Sequence, residues 1–154
     1  MSYSDSPYRE RSGVRVFHHI LIPMDLSGRN AEAVEMARDL AKESGVRVTL
    51  FHVIEVVSGA DVDEFGSFYK EIEERASAHL SALASRFQGS GLEVVKTVLY
   101  GKPAEEIVRF AMENEVDLIV LASHRIDLSR PGYGWSTLSY KIGVLAPCPV
   151  LLVK

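Results

Sequence analysis

The sequence predicts an α/β fold: a five-stranded parallel sheet, doubly wound in the Rossmann-like manner with helices on both faces. Two observations predict it. Five short apolar runs, rich in β-branched residues, alternate along the chain with four segments whose apolar residues recur at helical spacing. The run Asp117 to Leu121 is also almost continuously apolar, as expected of a parallel strand covered on both faces, until polar residues begin at Ala122-Ser123-His124-Arg125.

Each element has its own signal. Residues 1–15 carry Ser, Pro, Gly and alternating charge without periodicity, which predicts a mobile arm ahead of a domain spanning 16–154. FHHILIPM, Phe17 to Met24, reads as the first strand, with Pro23 tolerable only near its end. Ser27 is the expected N-cap of a helix running to about Ser44, which places Ala33, Val34, Ala37, Leu40 and Ala41 on one face and Gly45 at the stop. VRVTLFHVIEVV, Val46 to Val57, is the second strand. Between Asp61 and Phe87 a long amphipathic helix is expected on Phe65, Phe68, Ile72, Ala76, Leu80, Leu83 and Phe87. Gly89-Ser90-Gly91 breaks it. Leu92 to Tyr100 is the third strand, and the next helix opens on Pro103, Glu105 and Glu106, a proline and two acids suited to a first turn, with Ile107, Val108 and Ala111 buried. After the fourth strand, Thr137 to about Leu145 forms a short helix that Ala146-Pro147-Cys148-Pro149 halts before a last strand, Val150 to Val153.

Composition bounds the function. At 154 residues and 47% hydrophobic the chain suffices for one well-buried domain. A formal charge of −4 with scattered Lys and Arg argues against nucleic acid as a partner. No apolar run is long enough to span a bilayer, so no membrane partner is expected. A single cysteine, Cys148, allows no internal disulfide and points to a reducing, cytoplasmic location.

The chemistry is concentrated where strands end. Ligands of open α/β sheets bind beyond the carboxyl ends of the strands. There the sequence places Asp25 after the first strand and a loop rich in Ser, His, Arg and Gly after the fourth. The helix expected near Ser136 and Thr137 would turn its free N–H groups and positive dipole end toward that loop, an arrangement that suits a phosphate.

Four segments, HHILIPMDLS, VTLFHVIE, GKPAEEIV and LIVLASHR…APCPVLLV, carry a resemblance to the universal stress protein family of the UspA type. They keep the family's order and approximate spacing from residue 17 to the end. The resemblance implies a five-stranded parallel sheet of the adenine nucleotide alpha hydrolase-like kind, and a regulatory module that binds ATP or AMP, with Mg or Mn as a possible companion ion. The family's nucleotide-binding branch uses a loop reading Gly-x-x-Gly, about nine residues, then Gly-Ser or Gly-Thr, because glycines let backbone N–H groups approach phosphate. Here Ala122, Arg125 and Ser136 stand where those glycines would fall. Gly132 and Gly134 lie close enough to shift into the role, and Arg125 offers charge to phosphate directly. The resemblance makes Asp25 the acidic residue that meets ribose or a phosphate-bound metal ion, and Val53 the residue whose backbone reads the adenine edge. It extends the candidate site to Pro23, Met24, Leu121, Ala122, His124, Ser136, Thr137 and Leu138. It also implies a homodimer built through Val150 to Val153.

Each candidate has a plainer role open to it. Asp25 can make an ordinary Asx turn, Thr137 can be only a helix cap, and His124 and Arg125 can belong to a solvated loop. Tyr133 and Trp135 can cover a ligand or pack on the neighbouring helix. His18 and His19 are adjacent in a strand, so their side chains point to opposite faces and cannot clamp one metal ion. Cys148 lacks the local partners of a nucleophile. Three function classes result: a nucleotide-binding regulatory module, a nucleotide-free dimeric stress protein acting through protein partners, and an ATPase or kinase. The last ranks lowest, because no Walker loop or kinase signature is present.

Overall fold

The computed structural model describes residues 17–41, 45–56, 66–123, 129 and 137–154. Strand β1 (His19–Pro23) leads to helix α1 (Asn30–Leu40), and β2 (Arg47–Glu55) to α2 (Gly66–Ala84), which a 3-10 turn at Ser85–Phe87 closes. Then follow β3 (Glu93–Gly101), α3 (Pro103–Glu113), β4 (Leu118–Ala122), α4 (Leu138–Leu145) and β5 (Val150–Val153). All strand pairings are parallel and the sheet order is β3-β2-β1-β4-β5, so the chain winds outward from β1 to one edge, crosses back to β4, and ends at the other. The expected fold class is the one formed.

Strand periodicity explains the two cores. Successive side chains of a strand point to opposite faces. Ile20, Ile22, Val48, Leu50, Leu118 and Val120 therefore face one way, onto Ala33, Val34 and Ala37 of α1 and Leu80 and Leu83 of α2. Leu21, Phe51, Val53, Ile119 and Leu121 face the other, onto Ile107 and Ala111 of α3 and Ile142 of α4. Phe51 is fully buried and its ring lies 4.7 Å from that of Phe110. Burying one such side chain contributes about 1.5–3 kcal/mol.

Three expectations are corrected. Ser27 is not the N-cap of α1: the helix starts three residues later, behind Arg29, with no side-chain cap. Leu40 is 41% exposed although its helical spacing suggested burial, whereas Ala41, the next residue, is buried in the core at 2%. Phe68, in the first turn of α2, is 56% exposed and meets Tyr69 edge to face instead of entering the core. The expected end of α1 near Ser44, and Phe65, lie outside the described residues.

The adjacent histidines separate as strand alternation requires. His18 is exposed, whereas His19 is buried, with Nδ1 2.9 Å from the Asn114 carbonyl oxygen and Nε2 2.8 Å from Thr49 Oγ1. Both backbone N–H groups donate to the Asp117 carboxylate, at 2.8 and 3.0 Å. This network ties the start of β1 to the start of β4 at the end of the sheet away from the candidate site.

Candidate functional site

At the carboxyl ends of β1, β2 and β4 the sheet opens into a cavity of about 320 Å³, bordered by the start of α1, by α3 and by the start of α4. Its position follows from the topology. Between β1 and β4 the chain reverses its direction of winding, and helices leave the sheet on opposite faces there, so the strand ends are left uncovered.

The first wall is built by the end of β1. Met24 N–H donates to the Phe51 carbonyl at 2.8 Å, and His52 Nδ1 donates to the Met24 carbonyl at 2.6 Å, so both backbone groups of Met24 are tied to β2. The chain then turns sharply. Leu26 has φ +64°, a left-handed conformation uncommon for a residue with a Cβ. Asp25 Oδ1 holds the turn by accepting from Ser27 N–H at 2.9 Å and from Asn30 Nδ2 at 3.1 Å. Asn30 is 1% exposed, and its Nδ2 also donates to the Ser27 carbonyl at 3.0 Å. The Asx turn is thus formed, and it engages only one oxygen of the carboxylate. Burial pushes the Asp25 carboxyl up, but the hydrogen bonds from the Ser27 N–H and the Asn30 amide, with the Arg29 charge, outweigh it and hold the group below its ordinary 3.8. Asp25 is therefore an anion at neutral pH.

The second wall comes from β2, where Val53 and His52 line the cavity beside Glu55, and from Pro103 and Ile107 of α3. The third is the end of β4, Leu121 and Ala122, facing the start of α4. There Thr137 caps the helix, its Oγ1 accepting from Tyr140 N–H at 3.4 Å, which leaves its O–H free to donate. Ser123 is 8% exposed, lies 3.4 Å from Ser139 by their hydroxyls, and accepts from Lys154 Nζ at 3.5 Å. The result is an apolar slot between Val53, Ile107 and Leu121, with the Asp25 and Glu55 carboxylates and the Arg29 guanidinium at its margin.

Of the residues proposed from sequence, Pro23, Met24, Asp25, Val53, Leu121, Ala122, Thr137 and Leu138 all line this cavity. His124, Arg125, Gly132, Gly134 and Ser136 lie outside the described residues, as do Tyr133 and Trp135. Sequence reasoning missed Arg29, Asn30, Phe51, His52, Glu55, Pro103, Ile107 and Ser139. For most of them the signal was present: they sit within a few residues of a predicted strand end. Asn30 is different, because its role depends on a turn geometry that the helical pattern does not reveal. Among the described residues no three His, Cys, Asp or Glu side chains gather as a metal site. Asp25 and Glu55 are the two carboxylates that line the cavity, so a divalent ion held at Asp25 would take most of its ligands from phosphate and water.

The family model described as the universal stress protein family matches residues 17–154. Universal stress protein MJ0531 of Methanocaldococcus jannaschii is 30% identical over 148 residues, spanning 94% of this chain and 86% of the relative. Among solved structures, an AMP-bound universal stress protein family protein from Arabidopsis thaliana superposes with a TM-score of 0.65 at 16% identity, covering 89% of this chain and 91% of that one. The universal stress protein of Archaeoglobus fulgidus in complex with dAMP gives 0.63 at 20% identity, covering 90% and 99%. At these identities the two structures are evidence of a shared fold.

Proposed function

The chain belongs to the universal stress protein family, and from that premise we propose that it is a cytoplasmic regulatory module that binds ATP or AMP in the cavity at the carboxyl ends of β1, β2 and β4. The observation that carries the proposal is the cavity itself: eight residues chosen from the sequence line one apolar slot with an ionised carboxylate at its margin. Those residues fit the nucleoside half of a nucleotide. A flat aromatic base suits the slot between Val53, Ile107 and Leu121, and the Asp25 carboxylate accepts from ribose hydroxyls. The phosphates would extend toward Thr137 and the start of α4, with Arg125 as their cation. A Mg or Mn ion would bridge them to Asp25 when the ligand is ATP. The likeness in fold to proteins solved with AMP and with dAMP supports the reading.

The test is direct. Protein purified without added nucleotide is denatured, and the supernatant is chromatographed for adenine nucleotides. Calorimetric titration with ATP and AMP, with and without magnesium, then gives the affinities. The expected result is a saturable exothermic or endothermic isotherm for at least one nucleotide; absence of both bound and titratable nucleotide overturns the reading.

A second reading has its own observation in its favour. Strand β5 lies at a sheet edge and carries the sequence VLLV, within which Leu152 is 37% exposed, and on the preceding helix α4 Tyr140, Val144 and Leu145 are 53, 65 and 58% exposed. An uncharged edge strand next to an apolar helix face is poorly suited to water. A second copy of the chain pairing through Val150 to Val153 would cover both. In a nucleotide-free protein this homodimer, and the protein partners it recruits, would be the functional unit.

A further inference from the structure

We propose that His52 is a positioning residue of the nucleotide site: by holding the Met24 carbonyl it fixes the turn from which Asp25 presents its second carboxylate oxygen to the ligand. The inference rests on the nucleotide reading of the cavity and deepens it. Met24 is the last residue whose backbone is anchored to β2, through its N–H to the Phe51 carbonyl at 2.8 Å and its own carbonyl to His52 Nδ1 at 2.6 Å. The next residue is Asp25, and the one after, Leu26, sits at φ +64°. A strained backbone of this kind persists only where its surroundings over-determine it, so the turn needs a firm hold on each side. His52 supplies the hold before the turn. Asn30 supplies the hold after it, from a fully buried position, through hydrogen bonds to Asp25 Oδ1 at 3.1 Å and to the Ser27 carbonyl at 3.0 Å.

The consequence for Asp25 is directional. Oδ1 is engaged by Ser27 N–H and Asn30 Nδ2, whereas Oδ2 makes no hydrogen bond among the described residues and belongs to a side chain that lines the cavity. Were the turn free to relax, the carboxylate would rotate and its Oδ2 would lose a fixed direction, so an entropic cost would fall on binding. The chemistry of the imidazole fits a structural donor. Its Nδ1 faces a carbonyl and must carry the proton, which leaves Nε2 as an acceptor in the neutral ring. A direct contact between Nε2 and the ligand is the competing role, because His52 also lines the cavity.

Four variants separate these roles in calorimetric titrations with AMP: His52→Phe removes both ring nitrogens at similar volume, His52→Asn keeps a donor near the Nδ1 position, His52→Gln keeps a polar group near Nε2, and Asp25→Asn alters the presented carboxylate. His52→Phe is expected to weaken AMP roughly tenfold, and His52→Asn to recover to within about threefold of the parent. If His52 acts through Asp25, the double variant His52→Phe/Asp25→Asn binds no worse than Asp25→Asn alone. Multiplying losses would overturn the proposal, as would recovery in His52→Gln but not in His52→Asn. Should the parent protein bind no AMP, the nucleotide reading fails first, and the hold itself is judged without ligand. Amide hydrogen exchange at Ser27 should then speed up roughly tenfold in His52→Phe while that of Leu50 in β2 stays unchanged, and an unchanged Ser27 rate refutes the role of His52.

Discussion

Replacing Asp25 by Ala is expected to lower both the stability of the free protein and its affinity for nucleotide, and Asp25→Asn should separate the two effects. The stability cost follows from the turn. Removing the carboxylate deprives Ser27 N–H and Asn30 Nδ2 of an acceptor. The Ser27 N–H is exposed and can turn to water, while the buried Asn30 amide keeps its bond to the Ser27 carbonyl. Neither donor is stranded, so the loss should be near the ordinary net value of one hydrogen bond, about 1 kcal/mol. For a domain of this size that corresponds to a fall of roughly 2–4 °C in the thermal midpoint. The difference should also depend on pH. Asp25 is held below 3.8, so the stability contributed by its charge is complete above that value and is lost as the pH falls through the lower, folded value. Asp25→Asn retains an acceptor oxygen for the turn and should melt close to the parent, yet it lacks the negative charge and should bind AMP at least tenfold more weakly. Differential scanning fluorimetry across pH and calorimetric titration with AMP measure both quantities. An Asp25→Ala midpoint equal to the parent's at pH 7 would refute the account of the turn, and parental AMP affinity in Asp25→Asn would refute the account of the ligand.

Four other outcomes are expected. Phe51→Ala, which empties a fully buried site against Phe110, should cost about 3–5 kcal/mol in urea denaturation; a loss under about 1 kcal/mol would mean that the core collapses around the gap. Burial, with the Asp117 charge adding to it, pushes the Cys148 thiol up to about 11, so at pH 8 it should react with a maleimide or disulfide reagent far more slowly than in denaturant, and equal rates would contradict its placement. Arg125→Ala should weaken ATP by about 1.5–3 kcal/mol and adenosine hardly at all if Arg125 meets phosphate, while equal losses would assign it to the loop's own structure. Leu152→Lys should turn the proposed dimer into a monomer in light scattering at micromolar concentration, and an unchanged mass would move the interface elsewhere.

The fold was legible because its signals are redundant. Five apolar runs, four helical stripes and the proline at the start of α3 each constrain the topology, and an error of two residues at the limits of β1 leaves the strand order untouched. The site was legible where it depends on strand ends. Asp25, Val53 and Ala122 meet in space because β1, β2 and β4 are neighbours, a consequence of topology more than of the residues between them. The start of α1 was not legible. Ser27 precedes an apolar stripe, as an N-cap does, but Asp25 two residues earlier competes for the same backbone with an Asx turn and displaces the helix to Asn30. A hydrophobic pattern carries no information about which of two short polar side chains wins such a contest. The hold of His52 on Met24 was hidden for a related reason: it joins residues 28 apart through a backbone carbonyl, and a carbonyl has no sequence signature.

The two edges of the sheet differ in a way that bears on assembly. Strand β3 is nine residues long and would be a template for pairing, yet it carries Glu93, in an ion pair with Arg47 at 3.2 Å, and Lys96, which donates to Ser81 on α2. Charged residues on an edge discourage a second strand from adding there. Strand β5 has no charge among its four residues, and the helix before it, α4, exposes Tyr140, Val144 and Leu145 together with Lys141. The β3 edge thus carries charge within its strand, and the β5 edge does not. A contact at β5 alone, as proposed for the second copy, would account for this difference. The candidate cavity lies at the carboxyl ends of strands that include β4, the neighbour of β5, and Ser123 at the end of β4 donates its N–H to the Val153 carbonyl at 2.7 Å. A ligand that orders the end of β4 would therefore act one hydrogen bond away from the edge at which the second copy is proposed to pair.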